Sequence, residues 1–330
     1  MTATRVAAVD CGTNSLRLLV ADVETAGGRL SDVARHMEIV RLGQGVDRTG
    51  RLAPGALART FGVLRRYAQI IAGARAVAVR MVATSATRDA ANAAEFTDGV
   101  RQILGIDPEV ISGDAEAALS FAGATAELAE TGPPGPYLVV DIGGGSTEFV
   151  LGDSPARAAR PVTASISVDI GCVRMTERHL HSDPPTAAEI TAATADIDAA
   201  VEAAAAHLPG ASAATLIGLA GSVTTVAGIA LGLPSYDAAR IHHANITARE
   251  VHEVAGRLLA STHAQRAAIG VMHPGRVDVI GAGALILDRV MHRFGSASVL
   301  ASEHDILDGI AWSLVSAARP ALPDAAGIPP

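Results

Sequence analysis

Two short stretches place a carboxylate, small residues and a hydroxyl at the end of an apolar run. They are "DCGTNS", Asp10 to Ser15, and "DIGGGS", Asp141 to Ser146. Asp10 matches Asp141, Gly12 matches Gly143 and Ser15 matches Ser146, each at an offset of 131 (141 − 10). Both are followed by a second apolar run, "LRLLVADV" and "TEFVLGD". The shared order of residues and flanks points to an internal duplication. A glycine-rich turn after a strand suits an oxyanion, because backbone N–H groups approach it closely where no Cβ intervenes. Two facing copies would form a symmetric clamp with a carboxylate at each strand end.

Other phosphate binders fit less well. A dinucleotide fold needs its glycines to lead from a strand into a helix, and here they lead into a second strand. A P-loop needs a lysine, and all 26 basic residues are arginine. The same composition excludes Schiff-base lysine chemistry. With a net charge of −8 there is no general basic surface for nucleic acid. A polyanion must instead be met by local arginines, backbone N–H groups or a metal. Cys11 and Cys172 are far apart and match no metal or redox spacing. The start, "MTATRVAAVD", lacks a secretion-signal pattern and no apolar run reaches membrane length, so a reducing cytoplasm is the expected setting.

The elements around these motifs alternate between strand and helix, which predicts an α/β architecture in two halves. Pro and Gly in "AETGPPGPY", residues 129–137, mark the boundary between the halves. Leu57, Phe61, Leu64 and Ile71 follow helical spacing after Pro54. "AVAVRMVATSATR" reads as a strand running into a loop, and a helix is expected from about Asp114. Thr186 and Glu189 form a capping box before a long alanine-rich helix. "SEHD" from Ser302 reads as a second capping box, opening the last helix. "GLAGSVTTVAG" reads as a strand, a turn and a helix opened by Gly221 and Ser222. There the N–H groups suit an anion, and close packing of small residues explains the same pattern equally well.

Five motifs, "VDCGTNSLRLLVADV", "VATSATRDAANAAEF", "EVISGDAEAALSF", "VVDIGGGSTEFVLG" and "GLAGSVTTVAGIALG", occur in this order. Over about Val6 to Ser316 the chain resembles the exopolyphosphatase / guanosine pentaphosphate phosphohydrolase (Ppx/GppA) family of the actin, sugar-kinase and heat-shock-chaperone superfamily. The resemblance implies two ribonuclease-H-like domains with mixed sheets and a cleft between them. Domain I is expected over residues 1–128 plus a helix at about 302–318 that returns to it, domain II over 133–301, and a tail over 319–330. The chain resembles the short, two-domain members.

The resemblance places the catalytic carboxylate on Glu116. Ala115 and Ala118 stand where relatives commonly carry Glu and Arg, departures that touch contacts setting chain-length preference. In the first turn of a helix the positive helix end should favour the ionised form of Glu116, as a base for water requires. Arg88 resembles the family's phosphate-clamping arginine, for which a planar guanidinium is suited. Phosphate contacts are implied for Gly12, Thr13, Asn14, Ser15, Gly143, Gly144, Gly145, Ser146, Thr147, Gly221 and Ser222. Asp141 and Glu148, seven residues apart on the two arms of one hairpin, match metal-associated acids, with Asp10 a third from the other half. The implied ion is Mg²⁺, held with waters and substrate oxygens, with a monovalent cation as an optional companion. Arg174 is a further candidate for the cleft. The histidine pairs at 179–181 and 242–243 lack a convincing third ligand and read as surface or structural groups.

The implied reaction removes the terminal phosphate of inorganic polyphosphate. The same machinery would act on guanosine pentaphosphate, tying the chain to the stringent response, with guanosine tetraphosphate a candidate inhibitor. A homodimer is expected, with no nucleic-acid or membrane partner. Two other classes, a kinase of the same superfamily and a non-enzymatic phosphate-signal sensor, are disfavoured, the first by the missing acceptor signature and the second by the intact Glu116, Asp141 and Glu148.

Overall fold

The computed structural model describes residues 3–24, 29–126, 128, 132–133, 135–153, 161–211 and 214–316. The expected boundary at 129–137 falls partly outside these residues, and the expected tail wholly so.

The first sheet holds β1 (Thr4–Cys11), β2 (Ser15–Glu24), β3 (Arg29–Ile39), β4 (Ala78–Ala83) and β5 (Glu109–Val110), in the order β3-β2-β1-β4-β5. The second holds β6 (Tyr137–Ile142), β7 (Thr147–Gly152), β8 (Val162–Val168), β9 (Thr215–Leu219), β10 (Asn245–Thr247) and β11 (Ser298–Ala301), in the order β10-β11-β9-β6-β7-β8. Setting β10 aside, the two orders are the same. In each, two antiparallel pairings are followed by two parallel ones. The sequence repeat is therefore a repeat of topology.

Between the strands run α1 (Val46–Thr49), α2 (Pro54–Ala74), α3 (Ser85–Arg88), α4 (Ala93–Leu104) and α5 (Gly113–Thr125). The second half adds α6 (Cys172–His179), α7 (Ala187–His207), α8 (Ala220–Ala230), α9 (Ala238–Ile241), α10 (Ala248–Ala260), α11 (His263–Ala267) and α12 (Ile280–Phe294). The last described helix is α13 (Ile306–Ser316). The segment read as a loop after β4 contains the single turn α3. It follows a strand directly, so periodicity has too few residues to show it.

The central strands of both sheets are buried on both faces, where helices flank them. Along β1, Ala7, Val9 and Cys11 face α2 and α4, while Val6 and Ala8 face α13. In the second sheet Leu138, Val140 and Ile142 face the large core that includes α7, α10 and α12, and Tyr137 and Val139 face α5. This two-residue alternation follows from the pleat.

Helix α5 packs apolar residues on two faces, each against a different core, while Asp114 and Ala118 are exposed. Ala115 and Leu119 pack with α13 against the first sheet, while Ala117, Phe121 and Ala124 pack under the second. Each large apolar side chain buried there is worth roughly 1.5–3 kcal/mol. Helix α13 crosses α5 at backbone contact: a Cβ on Gly123 would overlap the Asp305 carbonyl, and one on Gly309 the Leu119 carbonyl. Ser112 caps α5 by accepting from Ala115 N. The Thr186/Glu189 capping box is formed.

The cap of α13 lies three residues later than the sequence suggests. Asp305 accepts from Leu307 N at 2.9 Å, and Asp308 reaches back to Asp305 N at 2.9 Å. Ser302 is engaged locally with His304, through N at 3.1 Å and O at 2.8 Å. The shift leaves Asp305 next to the cleft.

Because neither helix can retreat without opening both cores, Gly309→Ala should cost on the order of 3 kcal/mol. Urea unfolding would show this as a lower midpoint at unchanged slope.

Candidate functional site

The two hairpin turns meet at the cleft between the sheets. In each, the glycine after the strand closes the turn with the same bond: Gly12 N donates to Ser15 O and Gly143 N to Ser146 O, both at 3.0 Å. The carbonyls of both turns are held from behind. Thr13 O accepts from Gly43 N (2.8 Å), and Asn14 O from Val40 N (3.0 Å) and Arg41 N (2.8 Å). Gly143 O accepts from Cys172 N (3.0 Å), and Gly144 O from Val173 N (2.9 Å) and Arg174 N (3.1 Å). Gly145 O accepts from Arg174 Nε at 2.6 Å. In a trans peptide the C=O and the following N–H point opposite ways. Fixing these carbonyls on the outside therefore turns the following N–H groups the other way, at turns that line the cleft.

The cleft is lined by Asp10, Gly12, Thr13, Asn14 and Ser15 from one side and by Asp141, Gly143, Gly144 and Ser146 from the other. Glu116, Gly221 and Ser222 also line it. The turns touch, with no room for a side chain on Gly144 against Thr13, and Thr13 Oγ1 also lies 2.9 Å from Ser85 Oγ of α3.

The carboxylates do not form the symmetric clamp expected from the repeat. Asp10 pairs across its hairpin with Arg17, whereas Asp141 pairs with Glu148 at the equivalent position. Arg17 Nη2 donates to Asp10 Oδ2 at 2.6 Å, and Nη1 pairs with Asp305. Burial works against the Arg17 charge, but Asp305, Asp10 and Asp141 outweigh it and hold the guanidinium above its ordinary pKa. Asp10 is thus half committed to an arginine. Its other oxygen, Oδ1, is buried with no hydrogen-bond partner among the described residues.

The other hairpin accumulates negative charge. Asp141 Oδ2 accepts from Ser120 Oγ at 2.7 Å and Glu148 Oε1 from Ser167 Oγ at 2.7 Å. Burial, then repulsion from Asp305, pushes Asp141 up to about 6. Burial, then repulsion from Asp141, pushes Glu148 up to about 7. Glu116 is raised well above the usual carboxylate range by burial and by Glu148, Asp141 and Asp10, with Arg88 opposing. The helix N-terminus that should keep Glu116 ionised is outweighed, since a terminal dipole contributes at most about 2 kcal/mol. A base with a raised pKa is better matched to neutral pH.

Arg88 is the last residue of α3. Its Nη1 donates to Ile111 O at 3.0 Å and reaches Glu116 Oε2 at 3.5 Å. It stands beside Glu116, outside the inner lining. Gly145 and Thr147 also fall outside that lining. Gly145 packs against Ser85 and Thr13, and Thr147 donates to Ile170 O at 2.6 Å inside the core. Glu148 sits behind Asp141, 1% exposed. Arg174 is not in the cleft and lies behind the turns. Gly221 is pressed against Arg276, whose guanidinium a Cβ would overlap, so its smallness serves close packing as well as the cleft wall.

The Ppx/GppA phosphatase family model matches residues 19–317. The chain belongs to this family. It is 50% identical to Exopolyphosphatase 2 of Mycobacterium tuberculosis, covering 95% of this chain and 99% of that protein. Among solved structures it is similar to an exopolyphosphatase-like protein (42% identity, TM-score 0.89, 95% and 98% coverage). It is also similar to the Aquifex aeolicus PPX-GPPA enzyme (30% identity, TM-score 0.77, 94% and 99% coverage).

Of the two departures from the family pattern, Ala115 packs against α13 and Ala118 is exposed, and neither lines the cleft. Arg17, Ser120, Arg276 and Asp305 were not singled out from the sequence. Arg17 carried a signal, since it stands at the repeat position of Glu148. Cys172 lines the cleft, but burial pushes its thiol up, which makes it a poor nucleophile. His179 pairs with Asp196 at 2.8 Å, and the His242 ring stacks on His243 and lies tilted against His304. No helix among the described residues is long and apolar enough to cross a membrane.

The raised Glu148 pKa means that between its unfolded value, near 4.3, and about 7 the folded state holds the extra proton. Stability from this group is therefore lost as pH rises through that window. Glu148→Gln should unfold at a higher temperature than the native protein at pH 8 in the absence of divalent ions. The difference should shrink by pH 5, as read by calorimetry at both pH values.

Proposed function

We propose that this chain is an exopolyphosphatase that hydrolyses the terminal phosphoanhydride bond of inorganic polyphosphate. The observation that carries the reading is the pair of turns whose carbonyls are taken up by neighbouring N–H and guanidinium groups, at a cleft also lined by the buried Glu116. Backbone donors fixed in advance stabilise a phosphoryl group without reorganising, and phosphoryl transfer asks mainly for position and charge. The close relationship to a protein named Exopolyphosphatase 2 agrees with it.

The donor chemistry fits Mg²⁺. The orphaned Asp10 Oδ1 and the carboxylate of Asp141 line the cleft from its two sides, with Glu148 behind adding unneutralised charge. Among the described residues no three acids, histidines or cysteines form a closed cage. That suits an ion which keeps several waters and takes only one or two carboxylates plus phosphate oxygens. When bound it would neutralise charge on the phosphate and lower the pKa values of the acids. The turns then hold the terminal phosphoryl group, Arg88 meets its oxygens beside Glu116, and Glu116 orients a water and takes its proton.

A second reading, hydrolysis of guanosine pentaphosphate, is favoured by a cavity of about 430 Å³ that opens from the cleft past Arg17 and Arg276. Its wall combines Arg35 with Tyr236, Met37, Met272 and Pro274, a mix suited to a ring and its phosphates.

Phosphate release should be measured from short and long polyphosphate, guanosine pentaphosphate and ATP, with and without Mg²⁺. Glu116→Gln should lower kcat by about 10²–10⁴ while remaining folded. Turnover that survives this change would remove the mechanism, and binding without turnover in the native protein would favour a sensor. Arg88→Ala should reduce kcat/KM with little change in unfolding temperature.

A further inference from the structure

The ion-pair network behind the turns links the two halves of the molecule through one side chain. Arg174, in the first turn of α6, is 13% exposed and uses every edge of its guanidinium. Nε donates to Gly145 O at 2.6 Å, inside its own half. Nη1 donates to Asp47 Oδ1 at 2.6 Å and Nη2 to Asp89 Oδ2 at 2.7 Å, both in the other half. Helix α6 is seated on the turn so closely that a Cβ on Gly171 would overlap the Gly144 carbonyl. Its neighbours strengthen the crossing: Arg178 reaches Asp47 at 3.1 Å and Glu177 accepts from Gly45 N at 3.0 Å.

The acceptors on the far side are themselves tied to the candidate machinery. Asp89 follows Arg88 directly, and its N–H donates to Ser85 O at 2.9 Å. Ser85 Oγ in turn lies 2.9 Å from Thr13 Oγ1 in the first turn. Arg174 therefore fixes the second turn and the segment carrying Arg88 at once, and that segment in turn contacts the first turn through Ser85. When the halves part, its two Nη contacts must break. The guanidinium is then free to rotate, and the Gly145–Ser146 peptide loses the bond that sets its direction.

We propose that Arg174 is a positioning residue that couples closure of the two halves to the orientation of the phosphate-binding turn. Only in the closed state do Asp47 and Asp89 hold the guanidinium where Nε aligns Gly145 O and so directs Ser146 N–H. This rests on the reading of the turns as a phosphate site, and it adds a residue that touches no substrate.

The test compares Arg174→Met, Arg174→Lys and Asp89→Asn with the native protein in short-polyphosphate hydrolysis, thermal unfolding and small-angle scattering without substrate. Arg174→Met should lose about 10²-fold in kcat, the scale expected when a reacting group is misplaced by about 1 Å. Arg174→Lys should recover little of it, because an ammonium cannot serve three acceptors arranged for a planar fork. Asp89→Asn keeps an acceptor oxygen and should fall between them. The radius of gyration of Arg174→Met should exceed that of the native protein. A folded Arg174→Met with kcat and KM within about twofold of native would overturn the proposal. So would full rescue by lysine, or a lowered unfolding temperature with kcat per folded molecule unchanged. If Arg174→Met does not fold, Asp89→Asn decides by the same criteria. A native protein that releases no phosphate would defeat the functional reading. The scattering comparison would still decide the closure, an unchanged radius overturning it.

Discussion

Everything at the site depends on the crossing of α5 and α13. Two glycines, Gly123 and Gly309, let each helix rest on a carbonyl of the other segment, Asp305 and Leu119. That contact leaves α5 buried between the two sheets. From there its inner face presents Glu116 to the cleft and Ser120 to Asp141, one helical turn apart. It also brings Asp305 to Arg17, which ties the last helix to the first hairpin. A side chain at either glycine would move Glu116, an acid's hydroxyl partner and an arginine's counter-ion together.

The duplicated hairpins share their backbone but not their electrostatics. Both close with a 3.0 Å glycine-to-serine bond, and both carry an aspartate one residue before the end of their first strand. Across the pairing, one aspartate faces Arg17 and the other Glu148. One hairpin therefore pairs its aspartate with an arginine, and the other holds buried carboxylates that repel one another. Such a cluster destabilises the unliganded fold and is retained where a cation or substrate will relieve it. Serine hydroxyls from α5 and β8 soften the cost without removing the charge.

A chain without lysine can meet an anion through its backbone. The outer carbonyls of each turn are occupied by N–H groups from residues 40–43 and 172–174. The positive end of α6 thus serves the turn rather than an anion directly. Arginines take the remaining charged roles, and their planar forks let one side chain span several acceptors. Arg174 does so across the two halves, and Arg17 between the first hairpin and the segment that opens α13.

Local information alone set much of this. Asp10 and Asp141, the glycines after them, the strands around them and the caps at Ser112 and Thr186 are written in short stretches, because turn chemistry and strand alternation act over a few residues. The family resemblance then singled out Glu116 from an otherwise ordinary helical first turn. Tertiary structure alone decided which acids are neutralised and which are not. Arg17 meets Asp305 across 288 positions of chain, and no local pattern encodes that meeting. The same holds for Arg174, whose partners at 47, 89 and 145 converge only when both halves are folded. It holds too for the Glu116 pKa, where the local helix terminus favours the anion and the assembled cluster of distant carboxylates overrides it. Charge acts through space, and only the fold sets those distances.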